Sequence, residues 1–135
     1  NKFVESEKYL EFAYGGITLN GKIDWIEQDA NGEYEIVDFK TGAKISQNKA
    51  DEDWQIHIYA KLIEKEYGKL PTKATLYFLA EDVKRTVIID KKKAQDILDN
   101  ELKPIIDEVL KGNFTAKPGA PCFRCDYKDI CSFKV

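Results

Sequence analysis

Cysteine is scarce and confined. There are three in 135 residues, and all lie between Cys122 and Cys131. An odd number in one short tail does not make the disulfide framework of a small secreted domain. It reads as metal ligation in a reducing, cytoplasmic setting. Methionine is absent, and the chain opens at Asn1 directly in strand-like sequence. That opening reads as a portion of a longer protein. No apolar run approaches the roughly 18 residues of a membrane span, so no membrane partner is expected. No signal peptide is visible. An excess of positive charge is missing too, since the net charge is −3. Bulk charge therefore does not favour nucleic acid, whose non-specific affinity comes mostly from neutralised phosphates. A local basic patch is sufficient for that, however. Lysines do cluster at Lys61, Lys65, Lys69 and Lys73, at Lys84-Arg85 and at Lys91-Lys92-Lys93. The bland reading of each cluster is a solvated helix face or edge strand. Internal repeats and low-complexity segments are lacking.

What is present suits one soluble domain with a real core: 43% hydrophobic and 33% charged residues. Residues 3–14 and 17–28 read as strands broken at Gly15-Gly16, and 33–42 as a third strand after the turn "DANG". "ADEDWQIHIYAKLIEKEYG" (50–68) reads as a helix, with acids at its start and Gly68 at its stop. Residues 73–81 and 83–90 read as a paired couple of strands. "KKKAQDILDNELKPIIDEVLKG" (91–112) reads as a second helix, kinked or split by Pro104. Its expected buried stripe is Ala94, Ile97, Leu98, Leu102, Ile105, Ile106, Val109 and Leu110. From Asn113 the chain turns irregular and leads to the cysteines. The order of strands, helix, strands and helix predicts an α/β fold: a mixed central sheet flanked by helices, with an irregular cysteine-containing tail. The whole chain, 1–135, reads as one domain, with a core over 1–112 and a tail over 113–135.

The stretch "EIVDFKTG" (Glu35–Gly42) sets a carboxylate and an ammonium two residues apart on a strand. Alternation places Ile36, Asp38 and Lys40 on one face. On the preceding strand, Asp24 shares a face with Lys22 and Ile26. Two hairpin registers are open. With a loop of Asn31-Gly32, Asp24 sits opposite Phe39 and the two acids diverge. With Ala30-Asn31-Gly32, Asp24 sits opposite Asp38, and Gly32 takes the left-handed position without strain. Directly opposed side chains have Cβ atoms about 5 Å apart. Two carboxylates that close repel unless a cation neutralises them. A hard ion such as Mg²⁺ takes oxygen ligands, here Asp24, Asp38 and the Phe39 carbonyl. Lys40, next along the face, is placed to hold or deprotonate a water. The competing reading is an Asp38–Lys40 surface ion pair on an edge strand.

On a helical wheel, Gln55 falls inside the apolar arc of 50–68, with Tyr59 one turn on. A buried glutamine needs hydrogen-bonding partners, and a polar site at the sheet surface would provide them. His57, the only histidine, falls on the polar face with Lys61 and Glu64 and is expected to point to solvent.

Taken in order, "GKID" (Gly21–Asp24), "EIVDFKTG", "QIHIY" (Gln55–Tyr59) and the C-x2-C-x5-C of "PCFRCDYKDIC" resemble the PD-(D/E)XK nuclease superfamily. The resemblance is strongest to the RecB-like branch whose members carry a 4Fe-4S cluster, and it covers roughly residues 3–133. It implies a restriction-endonuclease-like fold and cleavage of DNA phosphodiesters, single-stranded or at ends, dependent on Mg²⁺ or Mn²⁺. It implies that Asp24 and Asp38 hold metal and that Lys40 serves the attacking water and the transition-state charge. Gln55 and Tyr59 would orient the site or the strand, and Cys122, Cys125 and Cys131 would ligate the cluster. Two departures stand out. The family's N-terminal helix, which completes the metal site, is not visible, and residues 1–121 contain no fourth cysteine. Both fit a chain whose partners include a helicase or other domains of the same protein, acting in DNA repair or recombination. A second reading is an inactive nuclease-fold module for DNA binding or scaffolding. A third is a small zinc- or dithiol-based domain built on Cys122 and Cys125.

Overall fold

The computed structural model describes residues 1–113 and 119–132. Five strands form one sheet in the order β1-β2-β3-β4-β5: β1 Lys2–Tyr14, β2 Ile17–Gln28, β3 Tyr34–Lys40, β4 Lys73–Phe78 and β5 Val83–Ile88. Every neighbouring pair is antiparallel except β3 and β4, which are parallel. A parallel pair needs a long crossover. The chain supplies it with two helices, α1 (Gln47–Asp51) and α2 (Trp54–Tyr67). The α/β fold with a mixed sheet and flanking helices is the one expected. The strand ends differ by a few residues. The turn between β4 and β5 runs from Leu79 to Asp82, closed by the Asp82 N–H on the Leu79 carbonyl, with Asp82 left-handed (φ +52°).

The expected single helix over 50–68 is two. Asp53 interrupts it by accepting the Gln55 backbone N–H at 2.8 Å, which starts α2 afresh. The far end behaves as expected: Gly68 is left-handed (φ +75°) and its N–H returns to the Glu64 carbonyl. Ile56, Ala60, Leu62 and Ile63 of α2 pack with Ile23, Ile26, Ile36, Ala74, Leu76 and Val87 of the sheet into the main core. Each large aliphatic side chain buried there contributes about 1.5–3 kcal/mol.

The C-terminal helix changes its winding just before Pro104. It runs as α3 (Lys91–Asp96), a π segment (Ile97–Leu102) and α4 (Lys103–Leu110). Pro104 has no N–H and crowds the carbonyl four residues before it. The wider π winding just upstream, with Lys103 N–H bonded to the Leu98 carbonyl, accommodates the ring. Only part of the expected stripe is buried. Ala94, Ile97, Leu98 and Ile106 are inside, whereas Ile105, Val109 and Leu110 are exposed. That end of the helix meets the sheet at the β1–β2 turn, where Lys103, Ile106 and Leu110 crowd Gly15 and Gly16.

Among the described tail residues, Ala120–Arg124 form a 3₁₀ turn followed by further turns. No helix among the described residues is long and apolar enough to cross a membrane.

Candidate active site

The β2–β3 hairpin settles the register. Trp25 opposes Val37 and Ile26 opposes Ile36. The loop is therefore Ala30-Asn31-Gly32, with Gly32 left-handed (φ +77°) and Asp29 holding the turn through the Asn31 and Glu33 N–H groups. The next pair in this register is Asp24 with Asp38. The backbone ladder stops one residue short of it, at Trp25–Val37. In its place the Asp24 carboxylate accepts the Phe39 N–H at 2.9 Å. The N–H and carbonyl of one strand residue point to the same side, so the Phe39 carbonyl faces β2 as well.

Strict alternation fails at this point of β2. Ile23 and Ile26 are both fully buried although three residues apart, and Lys22 is exposed. Asp24 thus does not share a face with Lys22 and Ile26 in the simple way that alternation predicts. The partner strand is irregular at the same level, where Glu7 of β1 is left-handed (φ +49°) between the pairs Ser6–Trp25 and Lys8–Ile23.

Asp38 is 5% exposed on the central strand of the sheet. The surface ion pair on an edge strand is thereby excluded. Its Oδ2 is buried without an aligned hydrogen bond, and lies 2.7 Å from Lys40 Nζ as an ionic contact. Burial pushes the Asp38 carboxyl above its ordinary range, and the neighbouring Asp24 adds to the rise, while Lys40 opposes both. For Lys40, burial alone favours the neutral amine, but Asp38, helped by Asp53, outweighs it and holds the group above its usual range. Lys40 is therefore a cation at neutral pH, suited to holding rather than deprotonating a water.

Lys40 Nζ also donates to Gln55 Oε1 at 2.7 Å, and Gln55 Nε2 donates to the Tyr59 hydroxyl oxygen at 2.9 Å. The chain of contacts Asp38–Lys40–Gln55–Tyr59 joins β3 to the first turns of α2. Tyr59 is buried, and burial, then the Asp38 charge, raise its hydroxyl above the ordinary range. Gln55 itself is exposed, contrary to its place in the expected apolar arc. It sits one residue after Trp54, at the start of α2, where the helix has not yet reached full cover of the sheet. The reading that it finds partners in a polar site holds; the reading that burial forces it to does not.

His57 is the plain correction. It is fully buried, not solvent-facing. The wheel took the polar face of α2 as the outer one, but the C-terminal helix covers it. Lys93 of α3 donates to the Asp51 carbonyl at 2.6 Å, and His57 Nε2 lies 3.1 Å from the same oxygen. Burial lowers the affinity of His57 for a proton. Asp53 is a contributor that the sequence reading passed over. It caps α2 and lends negative charge to Lys40. Its signal was visible, since an aspartate one residue before an apolar-periodic run is a common N-cap.

Asp24, Asp38, Lys40, Gln55, Tyr59 and the Phe39 backbone thus come together. Cys122, Cys125 and Cys131 belong to the separate tail, where Cys122 Sγ lies 3.4 Å from the Gly119 N–H. Among the described residues no three His, Cys, Asp or Glu side chains form a group able to hold a metal ion. The two carboxylates stand as a pair, and the three cysteines form no such group.

The model of the PD-(D/E)XK nuclease superfamily matches residues 1–132. The chain belongs to that superfamily. Its fold is restriction-endonuclease-like, and the acid pair with its lysine lies on the strands that carry "GKID" and "EIVDFKTG". Among solved structures, one titled "Crystal structure of SSO0001" shares the fold with a TM-score of 0.59 at 16% identity, covering 97% of this chain. The chain spans 61% of that protein's length. No curated protein sequence matches it.

Proposed function

We propose that this PD-(D/E)XK chain is the core of a metal-dependent DNA nuclease that hydrolyses phosphodiester bonds. One observation carries the reading: Asp24 reaches across from β2 to the Phe39 N–H, beside the buried Asp38, whose carboxylate lies 2.7 Å from the Lys40 ammonium. A buried carboxylate oxygen without an aligned partner, beside a second acid, suits a hard divalent cation. Asp24, Asp38 and the Phe39 carbonyl would hold Mg²⁺ or Mn²⁺. The ion supplies Lewis acidity toward the scissile phosphate and an activated water at neutral pH. Lys40 directs a fixed positive charge at the oxygens where negative charge grows in the transition state. Gln55 keeps that ammonium from folding wholly onto Asp38, and Tyr59 keeps Gln55 in place. The proposed recognition is of the DNA backbone, with single strands or ends as substrate.

An exonuclease role in repair or recombination, beside a helicase or other domains, belongs to the same proposal and rests on the RecB-like pattern of the four motifs. A 4Fe-4S cluster is supported by the spacing of Cys122, Cys125 and Cys131 alone. Among the described residues these three form no ligand group, so no catalytic step is assigned to it. The ultraviolet–visible spectrum of anaerobically purified protein decides that point.

The test is cleavage of end-labelled single- and double-stranded oligonucleotides with MgCl₂ or MnCl₂. Asp38→Ala should abolish it. Lys40→Met should lower kcat by about 10²–10³-fold with the fold intact. Binding without cleavage by the wild type under every metal condition would instead support a non-catalytic DNA-binding module.

A further inference from the structure

Gly21 opens the "GKID" stretch three residues before Asp24. Its backbone is not left-handed, so conformation does not demand a glycine there. Space does. A Cβ at Gly21 would lie 2.6 Å from Tyr59 Cε1, 3.1 Å from Tyr59 Cδ1 and 3.1 Å from Leu62 Cδ1. Real carbon contacts sit near 3.5–4.0 Å, so the methyl group of an alanine needs about 1 Å of retreat. The nearest atom belongs to a rigid ring that is itself buried in the core, not to the end of a flexible chain. Opposite Gly21 on β1 stands the buried Leu10.

The geometry points to Gly21 as a positioning residue for the active site, acting through Tyr59. The missing side chain is the seat of the Tyr59 ring. Its hydroxyl fixes Gln55, and Gln55 fixes the Lys40 ammonium. The Tyr59–Gln55 bond is 2.9 Å long, and a displacement of about 1 Å takes it beyond hydrogen-bonding range. Gly21 thus governs a lysine on another strand without touching it. The catalytic part of this inference rests on the nuclease reading; the steric part does not.

The experiment is a double-mutant cycle in the protein with Gly21→Ala, Tyr59→Phe and both together. The kinetic readout is kcat and KM for a single-stranded oligonucleotide with MnCl₂. The structural readout is the side-chain amide resonance of Gln55, assigned by its loss in Gln55→Ala. Gly21→Ala should lower kcat by up to about a hundredfold with KM little changed. The double variant should match the lower single variant, not the product of the two effects. The Gln55 resonance should move in Gly21→Ala as it does in Tyr59→Phe. A Gly21→Ala protein with wild-type kcat and an unmoved Gln55 resonance overturns the inference, and so does a fully additive cycle. Should the wild type cleave no DNA, the resonance alone decides the steric part, and the nuclease reading fails separately. Should Gly21→Ala fail to fold, Gly21→Ala with Tyr59→Leu removes the ring and should restore folding; failure to restore it refutes the clash.

Discussion

Asp38→Asn should invert the response of this protein to divalent metal. Asp38 is buried on the middle strand, its Oδ2 has no aligned hydrogen bond, and Asp24 stands beside it. Its proton affinity in the folded state is raised above the ordinary carboxylate value of 3.8, by burial first. The sign follows. The folded protein keeps this proton to a higher pH than the unfolded chain does, so above that range the ionised carboxylate works against the fold. A neutral isostere removes that penalty, and the metal-free Asp38→Asn protein should melt higher than the wild type at pH 7.5. Added metal should reverse the order. An ion present at 100 times its Kd stabilises the folded state by about 2.7 kcal/mol. For a domain of this size that is a rise of about 10 °C in Tm. The variant has lost a charged ligand and should show little of that rise. The assay is thermal unfolding by circular dichroism in EDTA and in graded MnCl₂ or MgCl₂. A wild-type Tm indifferent to both metals refutes the ion site. A full metal-dependent rise in Asp38→Asn refutes the role of this carboxylate in it.

Two further outcomes follow from the scaffold around the site. His57 is buried with its proton affinity lowered by burial. The unfolded chain therefore takes up a proton below about pH 6.5 that the folded protein resists, and stability should fall as pH drops through that window. Urea titrations at pH 7.5 and 5.5 should show the loss, and His57→Gln should flatten it; an equal slope in the variant assigns the effect to other groups. Asp53→Ala removes the cap that starts α2. It should cost about 1 kcal/mol, read as a lower urea midpoint with an unchanged m-value; no shift would mean that the cap contributes nothing.

Much of the site was legible because it is local. Asp38 and Lys40 lie two residues apart on one strand, and period-two alternation alone sets them on one face. Gln55 and Tyr59 lie four apart on one helix, and helical period alone makes them neighbours. The hairpin was open between two registers, and Gly32 carried the clue, since a three-residue loop ends in a left-handed residue. The errors arose where a second element decides which face is outer. His57 looks solvent-facing on α2 taken alone, yet it is buried beside the Asp51 carbonyl of α1, which Lys93 of the C-terminal helix also meets. Gln55 looks buried on the same wheel, yet it stands where the helix begins and its cover ends.

Composition, period and turn chemistry determined by themselves the five strands, their order, and the nearness of Asp38 to Lys40 and of Gln55 to Tyr59, because each depends on neighbours a few positions away. Tertiary structure alone decided that Asp24 replaces the last rung of the β2–β3 ladder at the Phe39 N–H. It alone seated a tyrosine ring on Gly21 from 38 positions along the chain, since the space between a strand and the helix packed on it belongs to neither sequence segment.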